Sequence, residues 1–255
     1  MVKIKSDAQM DAMRGAGRVV GQALAAAREA ADVGVSLTEL DAAAREILFK
    51  AGATSPFLDY HPEFAPVPFP ATACISVNDA IVHGIPDGYR LRDGDLVSVD
   101  FGAVLDGWAG DSAISFTVGR ARPEDIRLVE TAFRALDAGI AAAVVGNRIG
   151  DIAHAIGEVC RSAGYGIPDG FGGHGIGRHM HEDPAVPNEG RAGRGMVLRH
   201  GMVLAIEPML IADGSDAYYP AADGWTLRSL SGARAAHAEH TVAVTDAGPR
   251  ILTLP

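Results

Sequence analysis

Two acidic residues of this chain close runs of apolar ones: Asp100 follows Leu96-Val97-Ser98-Val99, and Glu207 follows Met202-Val203-Leu204-Ala205-Ile206. A carboxylate buried without a partner costs several kcal/mol or takes up a proton. Two more acids stand in matched surroundings, Asp111-x-x-Ile114-x-Phe116-Thr117 and Glu239-x-x-Val242-x-Val244-Thr245. Any one of the four could be a surface residue or half of an ion pair. In matched positions, and with no Lys or Arg in either strand core, they point instead to metal ions, since two divalent cations balance four carboxylates. The fifth ligand comes from Phe171-Gly-Gly-His174-Gly-Ile-Gly-Arg178-His179-Met180-His181-Glu182. Glycine on both sides of His174 lets the backbone come close to a crowded centre. His174 is therefore assigned to metal, and His83 and His181 are kept for the reacting amide.

The spacing around the first acid pair makes a shared site feasible. Asp106-Gly107 reads as a two-residue hairpin turn, so Leu105 pairs with Trp108, Gly102 faces Asp111, and Asp100 lies diagonally across on the same sheet face. Diagonal neighbours have Cβ atoms about 7 Å apart or less, within reach of two ions about 3.5 to 4 Å apart.

The elements that must position these residues come in a repeated order. Ser6 with Gln9 opens a helix over roughly 6 to 31, and Ser36 with Glu39 opens a second that Gly52 closes. The proline-rich stretch 53 to 71 is a loop. Strands follow over 72–77, 95–104 and 108–118. Pro123 then starts a third helix, and a fourth carries Ile149, Ile152, Ile156 and Val159 up to Gly164. Val33-Gly34, Leu37, Leu40, Ala51-Gly52 match Val145-Gly146, Ile149, Ile152, Ala163-Gly164 at a constant offset. Arg92-x-Gly94-x-Leu96-Val97-x-Val99-Asp100 parallels Arg199-x-Gly201-x-Val203-Leu204-x-Ile206-Glu207, with a carboxylate at each end. The fold class this implies is α+β. Two αα-plus-antiparallel-strand halves, about 1–120 and 121–255, related by a pseudo-twofold axis, join into one curved sheet covered by helices, in a single catalytic domain over 1–255.

Bulk properties narrow the partners. With 255 residues and 48% hydrophobic content the chain can bury a sizeable core, and a net charge of -10 argues against a phosphate-binding surface. Nucleic acid is not an expected partner. The two cysteines, Cys74 and Cys160, make neither a disulfide framework nor a zinc ribbon and suit a reducing compartment. No secretory signal precedes Asp7 and Asp11, and the alanine-rich Val19–Ala31 is too short and too interrupted to span a bilayer, so a cytoplasmic protein without membrane contact is expected. Other motifs fail. Gly170-x-Gly172-x-x-Gly175 has no strand leading into it, His181-Glu182 lacks the second histidine of H-E-x-x-H, and no G-x-S-x-G exists.

These segments resemble a known family, the type I methionine aminopeptidases of the pita-bread fold, over essentially the whole chain. The matching motifs are Cys74-Ile-Ser-Val-Asn78 through His83-Gly-Ile-Pro86, Val99-Asp100 with Gly107-Trp108-x-Gly110-Asp111, His174-Gly-Ile-Gly-Arg178 with His181-Glu182, Ile206-Glu207-Pro208-Met209, and Asp223-Gly-Trp225 with Glu239-His240-Thr241. The resemblance implies two divalent metal ions, one on Asp111, His174, Glu207 and Glu239 and the other on Asp100, Asp111 and Glu239. It implies His83 and His181 contacting substrate, and an activated water attacking the first peptide bond while Glu207 helps to move the proton. The side-chain pocket is then expected from Phe69, Cys74, His83, Met180 and Trp225, an apolar lining suited to a thioether. Mn(II), Fe(II), Co(II) and Zn(II) all suit a carboxylate-rich site with one imidazole. Partners on this reading are the N-termini of peptides and nascent proteins, preferably with a small second residue, and the enzyme is a monomer. Transient contact with the ribosome stays open, with no polybasic or zinc-binding extension to support it.

The chain departs from the family pattern in two places: Pro66-Val-Pro-Phe69-Pro70 replaces a stretch where relatives commonly carry tyrosine and glycine, and Met180 stands where they commonly have phenylalanine. The competing readings are a proline-directed or creatinase-like enzyme, whose family usually adds a large N-terminal domain, and a non-catalytic pita-bread module, which would be expected to lose ligands.

Overall fold

The structure is a computed structural model that describes residues 2–63 and 65–255. Helix α1 (Asp7–Ala30) opens on a capping box in which Ser6 accepts from the Gln9 amide while the Gln9 side chain accepts from the Ser6 amide at 2.9 Å. Helix α2 (Leu37–Lys50) repeats the device with Ser36 and Glu39. Each box satisfies two amides that a helix start leaves without partners. In the second half, α3 (Pro123–Ala142) starts on a proline, which needs no amide partner there, and α4 (Ile149–Ser162) uses Asp151, which accepts from the Arg148 amide at 2.7 Å.

Between and after the helices the described residues form thirteen strands: β1 (Ala73–Val77), β2 (Ala80–Val82), β3 (Leu96–Leu105), β4 (Trp108–Thr117), β5 (Gly172–Gly175), β6 (Glu182–Pro187), β7 (Val203–Ile206), β8 (Met209–Ile211), β9 (Tyr218–Pro220), β10 (Leu227–Ser229), β11 (Ala235–His237), β12 (Glu239–Thr245) and β13 (Gly248–Ile251). The main sheet has the order β1-β3-β4-β12-β7-β5-β6, with β13 on β12 where β4 leaves it. All its pairings are antiparallel. The order reads outward from the β4–β12 seam as β4-β3-β1 on one side and β12-β7-β5 on the other, the arrangement that a duplicated unit predicts. The connection between β8 and β11 carries β9 and β10, which pair with β2 of the first half in one small sheet, while β8 and β11 pair in another.

Strand alternation separates the two faces. On β3, Val97, Val99, Phe101 and Ala103 join α1 and α2 in one buried cluster, while Ser98, Asp100 and Gly102 face the other way. A separate cluster serves the second half, formed by α3, α4, Leu204, Ile206, Val242 and Val244. A third joins the halves, packing Met10 and Met13 of α1 against Trp108, Ile176, Val203 and Ala243. Each half thus buries its own helix–sheet core and presents its acids on the opposite face. No helix of the described residues is long and apolar enough to cross a membrane.

Candidate metal centre

The β3–β4 hairpin has the counted register. Leu105 pairs with Trp108 across Asp106 (φ 51°) and Gly107 (φ 71°), and Gly102 lies opposite Asp111. Two successive positive φ values make the turn that fits the twist of a hairpin, and they favour Asp and Gly at its two places. Asp100 is opposite Ala113, and Ala113 is also opposite Glu239 across the seam. A small alanine between two acids leaves room for both carboxylates to lean toward Asp111, two residues along the same face. The seam is stitched at that point by Thr241, whose hydroxyl donates to the Asp111 carbonyl at 2.7 Å and accepts from the Asp111 amide at 3.0 Å.

Glu207 follows the last residue of β7, and its carbonyl accepts from the Asn188 amide side chain at 2.9 Å. His174 sits in β5 with Nδ1 2.9 Å from the Gly175 carbonyl, so the proton belongs on Nδ1 and the Nε2 lone pair is free to bind. That Nε2 lies 3.8 Å from Asp111 Oδ2 and 3.7 Å from Glu207 Oε1. The flanking glycines are needed for approach: a Cβ on Gly173 would overlap the Ala205 carbonyl oxygen, and one on Gly175 the Asp183 carbonyl oxygen. Gly84, beside His83, is pressed in the same way against the Ile75 carbonyl.

Asp111, His174 and Glu239 each offer a ligand atom within 4.8 Å of the others, and Asp100 adjoins Asp111 closely enough to share a proton with it. Asp100 Oδ1, Asp111 Oδ1 and Glu239 Oε1 are enclosed with no hydrogen-bond donor among the described residues. Burial raises the pKa of all three acids, and the neighbouring carboxylates raise them further; Asp100 is pushed up to about 7, with His237 acting in the opposite sense, and Asp111 and Glu239 go well above the ordinary range. Buried oxygens without donors, aimed at each other and at an imidazole, are what divalent cations neutralise. The donor set fits the expected pair of ions.

A cavity of about 360 Å³ opens over these acids, lined by Phe69, Cys74, His83, His181 and Trp225 together with Phe57, Tyr60, Phe171 and Met209. His181 lies with its ring centre 4.4 Å from that of His174. Burial lowers the pKa of His83 to about 4, and His181 is lowered by desolvation and by His174, so both rings are neutral near pH 7. The thiol of Cys74 is raised well above its usual range by burial and by Asp100, which leaves it an apolar wall rather than a nucleophile. The apolar wall is braced by the proline-rich loop: the Trp225 indole donates to the Val67 carbonyl at 2.9 Å and packs edge-on against Phe69 at 5.2 Å.

Metallopeptidase family M24 matches residues 11–246. The chain is 52% identical over 261 residues to methionine aminopeptidase 1 of Mycobacterium tuberculosis (strain CDC 1551 / Oshkosh), spanning 100% of this chain and 96% of that one. This chain belongs to the M24 metallopeptidases, in the methionine aminopeptidase group. Methionine aminopeptidase of Clostridium acetobutylicum is 44% identical over 255 residues, at 100% and 99% coverage. The crystal structure of methionine aminopeptidase from Thermotoga maritima superposes with a TM-score of 0.95 at 37% identity, covering 100% of both chains. The pita-bread α+β architecture of this M24 chain is thereby established.

Of the site residues expected from sequence, the M24 fold brings Asp100, Asp111, His174, Glu207, Glu239, His83, His181, Phe69, Cys74 and Trp225 to one cavity. Met180 is not among its lining residues. It packs beside Trp108 and Ile176 and occupies, with Pro56, the space over Gly102. Tyr60 lines the cavity although Pro66-Val-Pro-Phe69-Pro70 carries no tyrosine, because that stretch folds back on Tyr60 within the same loop: the Phe69 amide donates to the Tyr60 carbonyl at 2.9 Å. Sequence reasoning missed Phe57, Tyr60, Phe171 and Met209, and it missed His237, a buried imidazole beside Glu207. The one signal for His237 was its place two residues before Glu239, the spacing that repeats a face in a strand.

Proposed function

We propose that this M24 enzyme removes the N-terminal methionine from peptides and nascent proteins with a small second residue, using two divalent metal ions held by Asp100, Asp111, His174, Glu207 and Glu239. What carries the reading is the set of enclosed carboxylate oxygens without donors at the floor of an apolar cavity. Divalent ions bound there would supply Lewis acidity, lowering the pKa of water and polarising the peptide carbonyl. Asp111 and Glu239 stand centrally enough to bridge.

Glu207 is the proton carrier: it reaches into the cavity between the two metal-facing strands and adjoins the His174 imidazole, so it can take a proton from the attacking water and pass it to the leaving amine. His83 and His181, neutral at working pH, can each donate one hydrogen bond to the carbonyl or the amide nitrogen of the bond being cleaved. Phe57, Tyr60, Phe69, Cys74 and Trp225 offer an apolar lining for the thioether side chain. Met180, behind this wall, supports it rather than touching substrate.

Two buried free cysteines suit a reducing compartment, and on that ground we place the enzyme in the cytoplasm, as a monomer acting on chain ends. The test is a peptide panel varied at its first two positions, assayed with Mn(II) or Co(II). Methionine should be released from Met-Ala and Met-Gly peptides and not from Xaa-Pro peptides. Cleavage confined to Xaa-Pro, or no release with any divalent metal, would overturn the proposal.

A further inference from the structure

Glu207 lies between two imidazoles. His174 Nε2 is 3.7 Å from its Oε1, and His237 Nε2 is 3.4 Å from its Oε2. His174 is a ligand of the expected kind and borders the cavity; His237 is 1% exposed and does not line it. His237 therefore meets Glu207 from outside the cavity lining, with one ring nitrogen also within 4.8 Å of a carboxylate oxygen of Glu239. Its Nε2 is enclosed and has no hydrogen bond of good geometry among the described residues; Oε2 of Glu207 at 3.4 Å is the acceptor that faces it.

The backbone at His237 is firmly held. The hydroxyl of Ser115 accepts from the His237 amide at 2.9 Å and donates to the His237 carbonyl at 2.7 Å, and Ser98 lies 2.7 Å from the same hydroxyl. His237 also pairs with Met209 across β8 and β11, just beyond Glu207 and Pro208. Two buried serines and a strand pairing thus fix one backbone position whose side chain meets a catalytic carboxylate. A bare Nε2 lone pair facing a carboxylate oxygen would repel it, so Nε2 carries the proton.

We propose that His237 is a positioning residue of the metal centre: by donating from Nε2 to Oε2 of Glu207 it fixes the carboxylate plane, so that Oε1 is the oxygen presented to the metal and to the reacting water. The inference rests on the metal-centre reading above. Partners of this kind behind a ligand are worth about 10- to 100-fold in metal affinity.

The test is calorimetric titration of the metal-free protein with Mn(II), comparing wild type with His237→Gln and His237→Leu. The glutamine amide nitrogen can take the place of Nε2, so its Kd should stay within about threefold of wild type, while leucine should raise Kd about 10- to 100-fold. If the leucine variant does not fold, His237→Asn serves instead, because its shorter amide falls short of Glu207 and should weaken binding likewise. Leucine or asparagine variants that bind Mn(II) as wild type does would overturn the proposal. So would a glutamine variant as weak as leucine, or X-ray absorption of the Co(II) form showing one nitrogen ligand fewer in the glutamine variant, which would make His237 a direct ligand. Wild type that binds no divalent metal would defeat the metal-centre reading itself, a separate result.

Discussion

The two halves of the molecule start from the same plan and end with different work. In the first, Asp100 and Asp111 sit on one hairpin closed by two residues, with Asp111 opposite Gly102. In the second, His240 pairs with Ile206, which brings Glu239 level with Glu207 instead of displaced along the strand. The slip between the halves is two residues, and a two-residue slip keeps every side chain on its face. The acids converge in both cases. The second half, however, joins β7 to β12 through β8–β11, and that long connection supplies Met209, Trp225 and His237. The duplicated strands provide negative charge; the imidazoles and walls come from residues 57–83 of the first half, the β5–β6 hairpin and the β8–β11 connection. Symmetry gathers the negative charge that divalent cations would answer, and asymmetry is needed to give the site a direction for substrate.

The sharpest way to break this comparison is to remove one central acid from each half. Asp111→Asn and Glu239→Gln should each lower kcat/KM by about 10³-fold or more, a loss of several kcal/mol of transition-state stabilisation, and each should reduce metal content of the purified protein. If one variant kept near-full turnover, the two acids would not be equivalent bridges.

A second test compares the two His-Gly-Ile segments. Gly84→Ala and Gly175→Ala both push a methyl into a facing carbonyl, so each should destabilise the protein by about 1–3 kcal/mol in urea unfolding. A variant of either glycine with wild-type stability would show that its half tolerates a looser approach.

The pH dependence of metal binding probes the charge that both halves contribute. Asp100, pushed up to about 7, holds its proton below that pH, and a cation must displace it. Affinity for Mn(II) should therefore rise by at least about tenfold between pH 6 and pH 8, more if Asp111 and Glu239 also give up protons, with protons released on binding in calorimetry performed in buffers of different ionisation enthalpy. A flat profile would mean that the acids are already ionised without metal.

The smallest expected effect concerns the helix starts. Ser36→Ala should cost about 1 kcal/mol because it removes the hydroxyl that caps α2, whereas α4, which begins at Arg148, has no capping hydroxyl to lose. Thermal unfolding of the single variant measures it.

Much of this was legible before any coordinates. Ser6, Ser36 and Pro123 announced helix starts, Asp106-Gly107 set the hairpin register, the four acidic ligand candidates stood out because acids in matched positions on apolar strands have few stable explanations, and His174 stood out by its flanking glycines. Phe57, Tyr60 and Phe171 were not legible, since a loop aromatic reads the same whether it lines a cavity or covers a surface. Met180 was expected in the pocket from the family resemblance; the structure places it with the cluster that holds Trp108 and over Gly102, outside the residues that line the cavity.

What the amino-acid sequence determined by itself was the content of each element: its period, its caps, the face on which each acid stands and the total charge that a cation must answer. Those follow from interactions between residues a few positions apart. Only the tertiary structure decided which oxygen of Glu207 meets which imidazole, that Ala113 separates Asp100 from Glu239, and that a proline-rich loop leans on Trp225. Such meetings depend on how helices and strands far apart in the chain pack against one another, and packing selects among many partners that local pattern leaves equivalent.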